Sequence, residues 1–252
     1  VFAKKIDVIV YADANYPPYS FKEGEEAAGI YTEILKVAFS RMERYRVQII
    51  PVPWKRGLKE LKQGKGFALY PPYFHPKEFP FIWPYSLPIM DETIVAFCSE
   101  EVLSKSLRTR WPEDYYGLTI GNNAGFVEGG DIFWKAVKEN KIFVSEARGN
   151  RQNILKLARR RIDCYINDRI SVLWELEVLK YRGEYKEGKQ YAKLVEGATV
   201  AINQGFLGFT NRDQGKYTYK EDFVKEFNLV IYEMRKSREL QKIINNFLKI
   251  TD

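Results

Sequence analysis

Short apolar runs alternate with segments of helical periodicity along the chain. The first third shows an apolar strand at Ile6 to Tyr11, a helix with apolar residues at helical spacing from Ile30 to Met42, and a strand at Val47 to Val52. A shorter helix over 54–63 leads into a strand over 66–70. Crossovers of this length join parallel strands. The pattern therefore predicts a β-α-β-α-β unit.

A second α/β unit follows a predicted strand at Met90 to Cys98. Its elements are strands at 118–121, 142–147 and 162–166 and helices at 131–139, 150–158 and 171–180. The run 199–210 is predicted to return the chain to the first unit, which two amphipathic helices, over 223–234 and 240–248, complete.

The predicted fold class is therefore α/β, with two lobes built on two open, mostly parallel sheets flanked by helices. Lobe 1 comprises residues 1–94 and 199–252, and lobe 2 comprises residues 95–198. All eleven prolines lie between Pro17 and Pro112, which separates a loop-rich first lobe from a more regular second one. Because the chain leaves lobe 1 and later returns, we expect two connections to form a hinge over a cleft.

Composition and charge narrow the function classes. The chain has 252 residues and a net charge of +7, with the basic residues scattered. Nucleic-acid binding needs a basic face with a recognised reading element, and no helix-turn-helix, zinc spacing or ribonucleoprotein motif is present in the sequence. No apolar run approaches the roughly 20 residues that span a bilayer.

The two cysteines, Cys98 and Cys164, lie in strand-like segments 66 positions apart. No second pair accompanies them to bind a metal ion. A single disulfide is compatible with this pattern. Free cysteine is among the most buried residue types, however, and we expect two buried free thiols.

An aromatic loop, Asp13-Ala-Asn-Tyr-Pro-Pro-Tyr-Ser-Phe21, follows the first strand. The carboxyl ends of strands in an open α/β sheet are where ligands bind. Two consecutive prolines fix the backbone, so Tyr16 and Tyr19 are held in place at little entropic cost. The loop predicts one wall of a binding site; the alternative is a surface turn with buried tyrosines.

Several short motifs follow this loop in a characteristic order. They are Gly29-Ile30 at the first helix, Val52-Pro53-Trp54 before the second, Pro84-Tyr85, Arg161-Ile162-Asp163 before Asn167-Asp168, and Asp222-Phe223. In this order the chain resembles the family 3 extracellular solute-binding proteins, the amino-acid-binding components of ABC importers. The resemblance covers nearly the whole chain and implies the type II periplasmic binding protein fold.

The resemblance also implies site residues. It places Tyr16 and Trp54 on either side of a ligand, Asp13 near a ligand side chain, and Asp168 on a ligand amino group through a charge-assisted hydrogen bond. Two alternatives stay open, since Trp54 also fits the core and Asp168 also fits the N-cap of the helix over 171–180. The remaining predicted ligand contacts are Tyr19, Arg56, Tyr70, Tyr73, His75 and Phe126.

The chain departs from that family where a ligand carboxylate is held. The family carries an Arg after the third strand, whereas the stretch 70–79 here has none, and Gly125-Phe-Val-Glu128 replaces small hydroxyl residues. Arg56, Lys77 or His75 could compensate, although a lone histidine in a proline-rich loop also fits simple exposure. The remaining option is a ligand without an α-carboxylate.

The predicted function is the capture of a small polar, amine-bearing solute, an amino acid or a relative, by lobe closure for the membrane permease of an ABC importer. We expect a monomer with no cofactor, metal, nucleic-acid partner or catalytic activity. Val1-Phe-Ala3 fits the end of a signal cleavage site, which predicts a periplasmic protein whose signal peptide is removed. The alternative is an extracellular ligand-sensing domain of a signalling receptor, which requires a longer protein.

Overall fold

The computed structural model describes residues 4–124, 128–188 and 190–248. It divides into two units: unit 1 contains the chain up to Asp91 and from Gln204 onward, and unit 2 runs from Glu92 to Asn203. The chain passes between them within two strands, Met90–Ser99 and Leu194–Gly205. The predicted boundaries, after residues 94 and 198, fall in the same two strands.

Unit 1 is built on a five-stranded mixed sheet. Its strands are β1 (Ile6–Asp13), β5 (Tyr45–Val52), β6 (Ala68–Tyr70), β7 (Ile82–Tyr85) and β13 (Gly208–Thr210), in the order β5-β1-β6-β13-β7. Strands β5 and β6 run parallel to β1 on its two sides, as the crossover lengths predict. Strand β13 is antiparallel to both β6 and β7.

The aromatic loop after β1 contains regular structure that sequence analysis missed. It forms a small antiparallel sheet of β2 (Asn15–Tyr16), β3 (Ser20–Glu23) and β4 (Glu26–Ala28). The Tyr19 N–H donates to the Tyr16 carbonyl at 2.9 Å and closes the turn at the two prolines. The strands are too short for a period-two pattern to reveal them.

Among its described residues, unit 1 also contains the helices α1 (Ile30–Ser40), α2 (Trp54–Lys62), α7 (Lys220–Lys236) and α8 (Glu239–Leu248). The apolar stripe of α1 is buried at Ile30, Ile34 and Ala38. The stripe of α7 buries Phe223 and Phe227, whose rings pack near the Phe39 ring. The helical spacing read from the sequence thus identifies the faces that cover the sheet.

Unit 2 repeats this layered plan. Its strands are β8 (Met90–Ser99), β9 (Thr119–Asn123), β10 (Phe143–Ala147), β11 (Cys164–Asp168) and β12 (Leu194–Gly205), in the order β10-β9-β11-β8-β12. Strands β10 and β11 run parallel to β9, and β8 is antiparallel to β11. The helices are α3 (Glu100–Lys105), α4 (Gly130–Lys138), α5 (Gly149–Ala158) and α6 (Arg169–Tyr181), with a 3-10 turn at Glu113–Tyr115.

The expectation of two free thiols is wrong, because Cys98 and Cys164 form a disulfide. They are direct partners in the antiparallel pairing of β8 with β11, with Cα atoms 4.0 Å apart, and both are fully buried. Pairing register decides whether two cysteines can meet, and a separation of 66 residues does not reveal it. The disulfide fastens the strand that enters unit 2 to the middle of its sheet.

Within the described residues, no helix is both long enough and apolar enough to cross a bilayer.

Candidate functional site

Three parallel strands of unit 1 end level with one another. The register pairs Asp13 with Val52 and Ala12 with Tyr70, so the segments after β1, β5 and β6 emerge at the same edge of the sheet. These segments carry the predicted residues Asp13, Tyr16, Trp54, Tyr73 and His75. We call this set the unit 1 edge. It is the usual ligand position of an open α/β sheet.

Asp13 is a half-buried carboxylate at the end of β1. Its Oδ1 accepts a hydrogen bond from the Asn15 N–H at 3.0 Å. Burial raises the pKa of Asp13, and only the Asn15 N–H acts against that rise; no described cation contributes to it. Because a partly desolvated carboxylate without a nearby cation is electrostatically costly, a positively charged ligand group would be favoured beside it.

Tyr16 lies at one end of a column of aromatic rings. Its hydroxyl is 2.9 Å from the Tyr73 hydroxyl, and its ring stacks on Tyr19 with centroids 5.0 Å apart. The column continues through Tyr31 at 5.9 Å from Tyr19 and Tyr70 at 6.5 Å from Tyr31. Tyr16 is half-buried, whereas the other three rings of this stack are fully buried. The stack therefore holds Tyr16 in one orientation.

Tyr19 and Tyr70 thus belong to the core beneath Tyr16. The Tyr70 hydroxyl lies 2.7 Å from the Thr32 Oγ1, and burial raises the pKa of Tyr70. Neither ring has exposed surface with which to contact a ligand, so nothing here supports the prediction that they do. Packing of the aromatic loop onto α1 buries Tyr19, as the alternative of buried tyrosines anticipates. The sequence pattern did not reveal the burial of Tyr70.

The other predicted residues of unit 1 differ in exposure. Trp54 is half-buried and packs against the apolar cluster around Leu61, as its core alternative anticipates. Arg56 is exposed and lies close to Tyr11. Burial raises the pKa of Tyr11 overall, and the Arg56 guanidinium opposes part of that rise. His75 is exposed, with its ring edge-to-face on Tyr73 at 6.2 Å.

Unit 2 presents a different chemistry where its parallel strands end. The Asn150 Oδ1 accepts hydrogen bonds from Asn123 Nδ2 at 3.2 Å and Asn167 Nδ2 at 2.6 Å. The Tyr165 hydroxyl lies 2.8 Å from both the Asn150 and Asn123 side-chain oxygens. Asn153 Nδ2 donates to Asn123 Oδ1 at 3.0 Å. These five residues form a connected amide network, which with Asp168 we call the unit 2 edge.

Sequence analysis missed most of this network. It had noted Asn167 only as part of a motif, and it had not singled out Asn123, Asn150 or Asn153. The available signal was the recurrence of asparagine at the ends of β9 and β11 and at the start of α5. Asparagine is common in turns, so its recurrence alone did not distinguish a polar site from ordinary connections.

Asp168 is buried and caps α6, since its Oδ1 accepts from the Ser171 N–H at 2.7 Å. The N-cap interpretation of this residue is therefore observed, and ligand contact stays a prediction.

Glu128 has a buried Oε2 without a hydrogen-bond partner among the described residues. Burial raises the pKa of Tyr165, and the Glu128 charge raises it further. Phe126 lies outside the described residues.

The fold is shared with solved solute-binding proteins. The second substrate-binding domain of GlnP from Lactococcus lactis, in its open conformation, matches with a TM-score of 0.69 and 15% identity over 99% of this chain and 98% of that one. A substrate-binding protein of a polar amino acid ABC uptake transporter from Streptococcus thermophilus matches with a TM-score of 0.70 and 19% identity, over 96% of this chain and 85% of that one.

A sensor domain has the same fold. A histidine kinase sensor domain with similarity to periplasmic binding proteins matches with a TM-score of 0.58 and 15% identity, over 97% of this chain and 96% of that one. No protein-family model matches the sequence. No curated protein matches it either. At these identities the structural likeness establishes the type II periplasmic binding protein fold.

Proposed function

We propose that this protein is an extracytoplasmic solute-binding protein. It captures a small polar, amine-bearing solute, an amino acid or a relative of one, and delivers it to the membrane permease of an ABC importer. It acts as a monomer without a cofactor, and it neither catalyses a reaction nor binds nucleic acid.

The unit 1 edge is the observation that carries this proposal. Asp13 supplies a carboxylate without a described cationic partner, and Tyr16 supplies an aromatic face that its neighbours hold in place. An ammonium group is attracted both to a carboxylate and to the face of an aromatic ring. Because Tyr16 is already ordered by Tyr19 and Tyr73, little side-chain entropy is lost on binding.

The disulfide supports an extracytoplasmic location. Disulfides persist in oxidising compartments such as the periplasm, and they are rare in the reducing cytosol. The cross-strand bond between Cys98 and Cys164 is buried in the core of unit 2, as a structural disulfide is. The shared fold with importer domains supports the permease as the partner.

A matched pair of tryptophan variants tests the proposal. Calorimetric titration of Trp54→Ala with the solute that copurifies with the wild type should give at least tenfold weaker binding, because one face of the site is lost. Trp83→Ala is the control, since Trp83 is a 55% exposed tryptophan of the same unit, on β7. Equal affinities for the two variants, both folded by thermal melt, would contradict a site at the unit 1 edge.

A second candidate is an extracellular ligand-sensing domain of a signalling receptor. The fold shared with a histidine kinase sensor domain over nearly the whole chain favours it. Both candidates bind a solute at the same edge. Ligand-dependent pull-down of a permease supports the first candidate, and a ligand-dependent change in kinase activity in cells supports the second.

A further inference from the structure

The charge at the unit 1 edge constrains the solute, on the premise that the proposed function is correct. Asp13 carries the negative charge there, and the rings of this set are the phenols of Tyr16 and Tyr73, the indole of Trp54 and the imidazole of His75. A bound carboxylate would lie near Asp13 and would need a cation or several N–H donors to offset the repulsion.

Neither Arg56 on α2 nor Lys77 in the loop after β6 offsets the negative charge of Asp13. Arg56 acts on Tyr11, and neither it nor the exposed Lys77 contributes to the pKa of Asp13. The Asn15 N–H already donates to the Asp13 carboxylate. Asp13 therefore attracts a cationic group, and its own charge disfavours a carboxylate placed next to it.

Unit 2, taken by itself, carries charges of both signs where its parallel strands end. Its amide network is neutral, and Asp168 and Glu128 add carboxylates near the ends of β11 and β9. Lys156 donates to the Ser145 carbonyl at 3.2 Å and to its hydroxyl at 2.8 Å. Arg148, exposed after β10, is a cation at this end of the sheet and the competing partner for a carboxylate.

We infer that the solute is an organic cation without a carboxylate group, such as a diamine or an alkylguanidine. Its ammonium or guanidinium group binds Asp13 and the face of Tyr16.

Three matched pairs of compounds test this inference directly: putrescine against ornithine, cadaverine against lysine, and agmatine against arginine. The members of each pair differ by one carboxylate. Calorimetric titration at neutral pH should show the carboxylate-free member binding at least tenfold more tightly in at least one pair. Equal or tighter binding of the amino acid in every pair that binds overturns the inference and leaves the proposed function intact.

If no compound of the three pairs binds, the inference is overturned for diamines and alkylguanidines. Native mass spectrometry then tests the proposed function separately. The proposed function stands if a solute of another class copurifies with the protein, and it fails if the protein neither carries nor binds any solute.

Two isosteric variants test whether Asp13 causes the preference for the amine over the amino acid. Asp13→Asn should weaken binding of the preferred amine at least tenfold and reduce its advantage over the amino acid. Asp7→Asn is the control, because Asp7 lies at the other end of β1 and pairs with Arg46 on the surface. An unchanged amine preference in folded Asp13→Asn contradicts the role of Asp13.

Discussion

The two units share a layered architecture but end their parallel strands in different chemistry. The unit 1 edge is aromatic and carries a carboxylate, with Tyr16 supported by a stack of buried tyrosines. The unit 2 edge is an amide network centred on Asn150. Rings and a charge provide attraction and a rigid face, whereas amides provide directional hydrogen bonds. One fold can therefore present two different kinds of contact at the strand ends of its two units.

The units also differ in how they are stabilised. Both cysteines of the sequence lie in unit 2, where they cross-link β8 to β11. Unit 1 relies on packing, with Phe67, Phe209 and Phe223 in mutual edge-to-face contact. Three predictions sharpen or break these contrasts.

The largest expected effect is loss of the disulfide. The double variant Cys98→Ala and Cys164→Ala should lose about 2–4 kcal/mol in the free energy of unfolding of unit 2, because its unfolded chain is no longer cross-linked. Hydrogen exchange measured at increasing urea concentration, and resolved by segment of the chain, measures this loss. Unit 1 amides serve as the internal control, and an equal loss of protection in both units would show that stability is not divided in this way.

Two substitutions at Asp168 separate capping from ligand binding. Asparagine caps helices about as well as aspartate, so Asp168→Asn should keep the stability of α6 but weaken solute binding about tenfold through loss of charge. Asp168→Ala should also lose about 1 kcal/mol of stability. Calorimetry and thermal melts distinguish the two effects, and wild-type affinity in Asp168→Asn would reduce this residue to a helix cap.

The smallest expected effects come from substitutions of two tyrosines of the aromatic column, one acting on stability and the other on binding. Tyr70→Phe should lower stability by about 1 kcal/mol, since the hydroxyl near Thr32 is removed, and leave binding unchanged. Tyr16→Ala should weaken binding while changing stability less than truncation of a fully buried ring would. If Tyr70→Phe impaired binding as much as Tyr16→Ala, the assignment of Tyr70 to the core would fail.

The sequence predicts the fold well because its periodicities are strong. The stripes from Ile30 to Met42 and from Phe223 to Met234 mark buried faces, and the crossover lengths correctly predict parallel strands. The small sheet after β1 was missed, and the disulfide was only the less expected alternative, because both depend on register between segments, which local pattern does not encode.

The candidate site was less predictable than the fold. Asp13 and Tyr16 were predicted as ligand contacts from the family resemblance and from the position of their loop after a strand, since strand ends collect at one edge of a sheet. Their contact with a ligand stays a prediction. The burial of Tyr70 was not predicted and that of Tyr19 was only the alternative, since both depend on how the aromatic loop packs onto α1. The amide network escaped because asparagine is as typical of turns as of binding sites.

The most direct test of the central claim is native mass spectrometry of gently purified protein, wild type beside Tyr16→Ala and the surface control Tyr232→Ala. The account predicts a small cationic solute on the wild type and the control, and its loss or marked reduction on Tyr16→Ala. A solute retained equally by all three proteins, or carried by none and bound by none after titration, would contradict the account.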